Sequence, residues 1–133
     1  MSRENVEVRD AAVRSWISAF ENDTDAFRAA LHPEIKWCPF EEDNTPLYGI
    51  EAAMQSRNQW LDTWGHHRFD IEEVIEAGNS IVVLVHLMAR GRGSGVEVDV
   101  RLYMQFKVRD DKVVYIFEHR DRASALEAVG LRE

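Results

Sequence analysis

The sequence predicts an α+β domain in which three helices pack on one face of a curved antiparallel sheet. Two observations carry this. Apolar residues recur at helical spacing in the first half, and the period changes to alternation in the second. The separators of that second half, "GNS", "GRGSG" and "RDD", have hairpin length and turn chemistry, which makes its strands a meander of four. All 133 residues are expected to form one domain, long enough to bury a core without disulfides.

The first helix is predicted from about Asn5 to Glu21. Val6, Val13, Trp16, Ile17 and Phe20 share a face, with Glu4 and Glu7 at the positive end. The second runs from about Asp25 to Leu31, with Asp23 or Thr24 to cap it and Pro33 after its end. "EIKWC" reads as a short strand and "PFEEDNTPLYG" as a loop. Ile50, Ala53, Met54, Leu61 and Trp64 mark a third helix from about Ile50 to Trp64.

Strands follow over about His67 to Ala77, Ile81 to Arg90, Val96 to Val108 and Val113 to Arg120. The third of these alternates cleanly, with Val98, Val100, Leu102, Met104 and Phe106 on one side. The last is apolar on both sides, Val114 and Ile116 against Val113, Tyr115 and Phe117. Helices cover only one face of such a sheet, so the other is expected to meet a second copy of the chain, giving a homodimer. A short helix, about Arg122 to Val129, ends the fold at Gly130.

Composition narrows the function classes. The net charge of −8 argues against a nucleic-acid backbone as partner. No apolar run approaches a membrane span, and the opening "MSRENVEVRD" is not that of a signal peptide. The single cysteine, Cys38, excludes an internal disulfide and fits a cytoplasmic location. The acid is spread along the chain apart from Glu41-Glu42-Asp43, and is read as serving solubility. No histidine pair has metal-ligand spacing beside a carboxylate, so no metal is expected. "GRGSG" joins two strands rather than opening a helix, which argues against a phosphate cradle.

The stretch "VVYIFEHRD" places Glu118 beside His119 at the end of the last strand, and the hairpin before it decides which one faces the helices. A three-residue "RDD" loop pairs Val108 with Lys112 and turns Glu118 inward. A two-residue Asp110-Asp111 loop pairs Val108 with Val113 and turns His119 inward instead. The three-residue loop is favoured, because a type I turn with a bulge tolerates Asp at these positions.

The helix-helix-strand-helix-meander order, with "GSGVEVDV" and the ending "KVVYIFEHRDRASALEAVGL", resembles the SnoaL-like branch of the nuclear transport factor 2-like superfamily. Ketosteroid isomerases and limonene epoxide hydrolases are relatives. The resemblance implies a cone-shaped sheet with three N-terminal helices on its concave face, a short C-terminal helix, a pocket between them, and dimerisation through the outer face. In SnoaL-type cyclases and limonene epoxide hydrolase an Asp of the last strand, acting as base or acid, lies three positions before the Asp that leads the final helix. With Asp121 as that Asp, the matching residue is Glu118. The isomerases' Asp-Pro base corresponds to Cys38-Pro39, and Trp16 stands on the helix that carries their tyrosine, so neither group is present. The hydrolases' Arg-x-Asp maps onto "VHLMAR", with His86 and Met88 as equivalents.

The expected site is therefore Glu118 as general acid or base, with His86 as proton partner or oxyanion donor. Trp16, Trp37, Cys38, Trp60 and Met104 are expected to line a pocket for a small apolar carbonyl or epoxide compound, turned over without a cofactor. Such surroundings raise a carboxyl pKa toward neutrality, where it suits proton transfer. The alternatives are a structural Glu118 paired with Arg90 or Arg120, a satisfied core His86 and an inert buried Cys38. On that reading the chain is a non-catalytic binder or a dimeric interaction domain.

Overall fold

A computed structural model describes residues 3–131 of the chain, with side chains from Asp10 onward. In order, the elements are helix α1 (Arg3–Asn22), helix α2 (Thr24–Ala29), strand β1 (Leu31–Cys38), a 3-10 turn (Phe40–Glu42), strand β2 (Leu47–Tyr48) and helix α3 (Ile50–Thr63). Strands β3 (Trp64–Ala77), β4 (Ser80–Gly91), β5 (Glu97–Arg109) and β6 (Lys112–His119) follow, and helix α4 (Arg122–Ala128) closes the order. The six strands form one sheet in the order β2-β1-β6-β5-β4-β3, so the α+β class and the four-strand meander stand as the sequence predicts.

The core lies between the helices and one face of this sheet. Val13, Trp16, Ile17 and Phe20 of α1 are buried there, with Ala53 and Met54 of α3, Leu102, Met104 and Phe106 of β5, and Ile116 of β6. The expectations for Glu4, Val6 and Glu7 fall outside the described side chains. Asp23 caps α2 by accepting from the Ala26 N–H at 3.0 Å, and Asp121 caps α4 by accepting from Ser124 N–H at 2.7 Å. Gly130, at φ 80°, lets the chain fold back so that Leu131 N–H bonds Leu126 O at 2.8 Å. Among the described residues no helix is long and apolar enough to cross a membrane.

Several boundaries differ from expectation for tertiary reasons. The second helix ends at Ala29 and Leu31 already belongs to β1, because β1 pairs with β6, Leu31 opposite Val113. That pairing is parallel, so the sheet is not wholly antiparallel. Pro33 is tolerated inside β1 because the register is irregular between Leu31 and Lys36. β3 begins at Trp64, and that residue serves as the end cap of α3.

The decisive difference is in the last hairpin. Its loop is Asp110-Asp111, with φ of 54° and 63°, and Val108 pairs with Val113. Positive φ at both central residues is the two-residue hairpin turn, not the favoured three-residue loop. The inward residue is nevertheless Glu118. A bulge follows immediately: Lys107 pairs with Tyr115, so Val114 is an extra residue and the facing of β6 is inverted beyond it. Val113 and Ile116 thus both lie in the core, and Met104 faces Glu118. Val113 is therefore not part of the outer apolar patch.

That outer face is also partly covered. Val82 and Gln105 alternate with the inward Val83 and Met104, yet are buried. Ala125 and Leu126 of α4, the helix that packs against β5 and β6, are buried as well. The expectation that helices cover one face only is corrected to this extent.

Candidate active site

A cavity of about 280 Å³ opens between α1, α3, the 3-10 turn and the inner face of the sheet. The period of each element delivers its lining. Trp16, Ile17 and Phe20 come from one stripe of α1, and Ser56, Gln59, Trp60 and Thr63 from α3. Val85 and Leu87 of β4 alternate inward, as do Leu102 and Met104 of β5 and Trp37 of β1. The rings interlock. Trp16 meets Trp37 edge-on at 5.6 Å, and Phe20 meets Trp60 at 5.5 Å and Phe69 at 5.3 Å.

Glu118 is the buried polar group of this cavity, 7% exposed. The Trp37 indole N–H donates to its Oε2 at 2.6 Å, and the Phe40 backbone N–H donates to its Oε1 at 3.2 Å. Burial pushes its pKa up from 4.5 to about 7 against those two bonds, and the nearby Glu41 and Glu42 push the same way. Arg90 is engaged with Glu97 at 2.7 Å, and Arg120 donates to Phe40 O at 3.2 Å. Glu118 is thus not the anchor of an ion pair with either arginine. Its neighbour His119 turns to the opposite face, where its Nε2 lies 3.0 Å from Gln105 Oε1 and burial lowers its pKa.

The loop after β1 builds the mouth. The Asn44 side-chain amide donates to Cys38 O at 2.9 Å and to Glu118 O at 3.0 Å, tying the ends of β1 and β6 to the loop. This holds the Phe40 N–H over Glu118. Glu41 and Glu42 stand at the rim, where Trp60 Nε1–H donates to Glu41 Oε1 at 3.1 Å. Partial burial raises the Glu41 pKa as well, opposed by the Trp60 bond and aided by Glu42.

Five of the seven residues expected at the site meet here: Glu118, Trp16, Trp37, Trp60 and Met104 all line the cavity. Two do not. His86 lies between the inward Val85 and Leu87 and points to the outer face, with Nε2 2.6 Å from Asp99 Oδ1 and Nδ1 3.9 Å from Glu72 Oε2. Strand alternation forbids it from reaching Glu118. Cys38 is excluded by the same parity, since Trp37 beside it takes the inward place. Its thiol is buried and its pKa is raised by that burial, which favours the unreactive thiol form. The residues that sequence reasoning missed are Glu41, Glu42 and Asn44. The short acidic run next to Phe40 is their signal, and in sequence it looks the same as a solvated loop.

The arrangement can hold a proton on Glu118 or release it near pH 7, inside an aromatic chamber. Among the described residues the other titratable groups of the lining are the two rim carboxylates, and the Cys38 thiol lies near Glu118. Among the described residues no group of three His, Cys, Asp or Glu side chains is placed to hold a metal ion.

A family model described as a SnoaL-like domain matches residues 13–116. No curated protein matches the chain. Solved structures do. A nuclear transport factor 2-like protein from Burkholderia pseudomallei is 20% identical, covering 98% of this chain and 99% of its own, with a TM-score of 0.75. A protein from Jannaschia sp. CCS1 named for the SnoaL-like polyketide cyclases is 18% identical over 96% of this chain and 94% of its own, with a TM-score of 0.74. A protein of ketosteroid isomerase-like fold from Catenulispora acidiphila, in complex with trimethylamine, is 13% identical over 90% and 92%, with a TM-score of 0.72. At these identities the likeness is one of fold, and it supports the cone-shaped sheet.

Proposed function

The chain belongs to the SnoaL-like domain family, and on that premise we propose a small-molecule pocket protein in which Glu118 performs general acid–base chemistry. The substrate on this reading is a largely apolar carbonyl or epoxide compound, and the reaction a cyclisation, isomerisation or hydrolysis without a cofactor. The observation that carries it is the buried carboxyl of Glu118, at the inner end of an aromatic cavity with its pKa near 7. A base of that strength removes a proton from carbon next to a carbonyl, and in its acid form it protonates a leaving oxygen. The Trp37 and Phe40 N–H groups hold the carboxyl in place and stabilise the anion that proton release leaves.

One observation favours the rival reading of a non-catalytic binder. With His86 on the outer face, Glu118 has no second proton carrier beyond the rim acids. The discriminating experiment is a turnover screen over cyclic ketones and epoxides, wild type against Glu118→Gln. A rate that rises with an apparent pKa near 7 and is lost by at least a hundredfold in the variant supports catalysis. Binding without turnover in both proteins supports the binder.

The homodimer belongs to the same proposal. Tyr103, Tyr115 and Phe117 are half-buried on the outer face and Tyr48 at its edge is exposed, a patch suited to a second copy. Light scattering is expected to give about twice the chain mass, and Phe117→Arg to shift it toward monomer. A wild-type monomer at high micromolar concentration would remove the idea.

A further inference from the structure

The charged groups described in the cavity lining all have one sign. Among the described residues its lining carries three carboxylates, Glu41, Glu42 and Glu118, and no lysine, arginine or histidine. Much of the rest is aromatic, with Trp37, Trp60 and Trp64 among the lining, and the face of an aromatic ring carries the negative side of its quadrupole. Acid and ring face act alike: both attract a cation and both repel an anion. Arg120 lies outside the lining, its guanidinium 5.7 Å from the Phe40 ring centroid and 3.8 Å from Asp43 Oδ1. Among the described residues no basic side chain of the lining therefore neutralises its acids. That task falls to a proton or to whatever binds.

We propose that the cavity takes a small organic ammonium compound, a quaternary or protonated tertiary amine on an apolar frame, with its charge set between the indole faces and the carboxylates. This rests on the reading of the cavity as a small-molecule site and adds a cationic group to the apolar carbonyl or epoxide frame named there. A quaternary ammonium group suits the chamber because it needs no hydrogen-bond acceptor for each N–H. It is weakly hydrated, and it gains from several ring faces at once. The order of the acids serves entry as well: Glu41 and Glu42 meet the cation at the rim, and Glu118 meets it at the buried end. An anionic ligand of the same shape meets acidic side chains and, among the described lining residues, no cationic partner.

Binding of such a cation favours the ionised form of Glu118. The titratable groups that face this carboxyl are Glu41 and Glu42 from the 3-10 turn, with the Cys38 thiol of β1 nearby. Each is an acid, so raising the pH through 7 can only make the cavity more negative. A permanent cation must then bind more tightly at pH 8 than at pH 6.

The test uses three probes of nearly one shape: choline, its neutral carbon isostere 3,3-dimethylbutan-1-ol, and the anion 3,3-dimethylbutanoate, with the neutral ketone 1-decalone as a fourth. Titrations are followed by the indole N–H signals of Trp37 and Trp60 in nitrogen-15-labelled protein. Choline is expected to shift both signals, to bind at least tenfold tighter than the alcohol, and to bind several-fold tighter at pH 8 than at pH 6. Glu118→Gln and Glu41→Gln are each expected to weaken choline by a several-fold larger factor than the alcohol. Equal affinity for choline and alcohol overturns the proposal, as does preference for the anion. If the ketone shifts the indole signals and choline does not, the proposal fails while the small-molecule reading stands. If none of the four probes shifts them at millimolar concentration, both fail.

Discussion

Replacing Glu118 with glutamine is expected to remove a pH-dependent cost from the folded state. In the fold its carboxyl titrates at about 7 rather than 4.5 because it is buried. The folded state therefore holds this proton more tightly than the unfolded chain does. The resulting stabilisation is complete below the unfolded value and is lost as the pH rises through the folded one. At about 1.4 kcal/mol per pH unit the loss amounts to about 3 kcal/mol between pH 4.5 and 7. Glutamine cannot titrate, so its profile lacks this fall. It carries its own pH-independent cost, since its NH₂ group must face either the Trp37 indole N–H or the Phe40 N–H, leaving one donor unpaired for about 1–3 kcal/mol. The absolute stability of the variant is consequently a poor readout, and the difference between the two pH profiles is a good one. His119 acts in the opposite direction, because burial lowers its pKa and stability from it is gained as pH rises. It is common to both proteins and cancels in that difference. Urea unfolding followed by tryptophan fluorescence, at half-unit steps from pH 4.5 to 8, supplies the measurement. A wild-type minus variant stability that falls by about 3 kcal/mol across the range is expected. Parallel profiles would refute the burial argument and remove Glu118 as a group poised near neutrality.

Two further substitutions probe how the site is held. Arg57 is buried in α3 and donates to Phe20 O at 3.0 Å, Ala19 O at 3.4 Å and Thr24 Oγ1 at 2.8 Å, closing the C-terminal end of α1. Arg57→Met removes the donor to Phe20 O and Thr24 Oγ1, while Ala19 O keeps the Asp23 N–H at 3.0 Å, and is expected to cost about 3 kcal/mol in urea unfolding; a cost under about 1 kcal/mol would contradict the assignment. Asn44→Gly keeps the positive backbone φ of 59° but deletes the amide that ties the loop to Cys38 O and Glu118 O. It is expected to speed hydrogen exchange at the Phe40 N–H at least tenfold, with a loss of about 1–2 kcal/mol in stability; unchanged exchange would show that the loop is held by other means.

How much of this was legible in the sequence depends on where the information resides. The alternation of Leu102, Met104 and Phe106 and the helical spacing of Val13, Trp16, Ile17 and Phe20 are local patterns, and they place the core correctly. Arg57 was not legible. It continues the Ala53, Met54, Leu61 stripe, yet a charge at a core position reads as an interruption of the pattern. Only the carbonyl ends of α1, far away in sequence, explain it. Glu41 and Glu42 were illegible for a related reason. An acidic loop looks the same whether it faces water or a cavity, and the difference is made by Asn44 clipping two strand ends that no sequence spacing brings together. His86 and Cys38 failed on parity. They were assigned through a resemblance, while the inward places belong to their neighbours Val85, Leu87 and Trp37.

Glu118 is the instructive case, because the right residue was reached through the wrong loop. The rule that a two-residue turn sends His119 inward assumes an unbroken ladder. Here the Asp110-Asp111 turn fixes Val108 opposite Val113, which keeps Val113 in the core, and Val114 is then inserted before Tyr115. One added residue inverts every later position of β6, so Ile116 enters the core and Glu118 enters the cavity. The alternative would place His119 against the Trp37 indole and turn Glu118 toward the face where Gln105 lies. An apolar stretch such as "KVVYIF" carries no alternation that could disclose the inversion, since either parity buries hydrophobic side chains. The polar pair at its end discloses it instead. The indole and backbone N–H groups that await the inward residue are both donors. A carboxylate can accept from two at once, whereas an imidazole offers one acceptor nitrogen at most. The bulge and the choice of Glu at position 118 are thus one feature, a strand shifted by a residue so that its acceptor meets the donors of β1 and its loop.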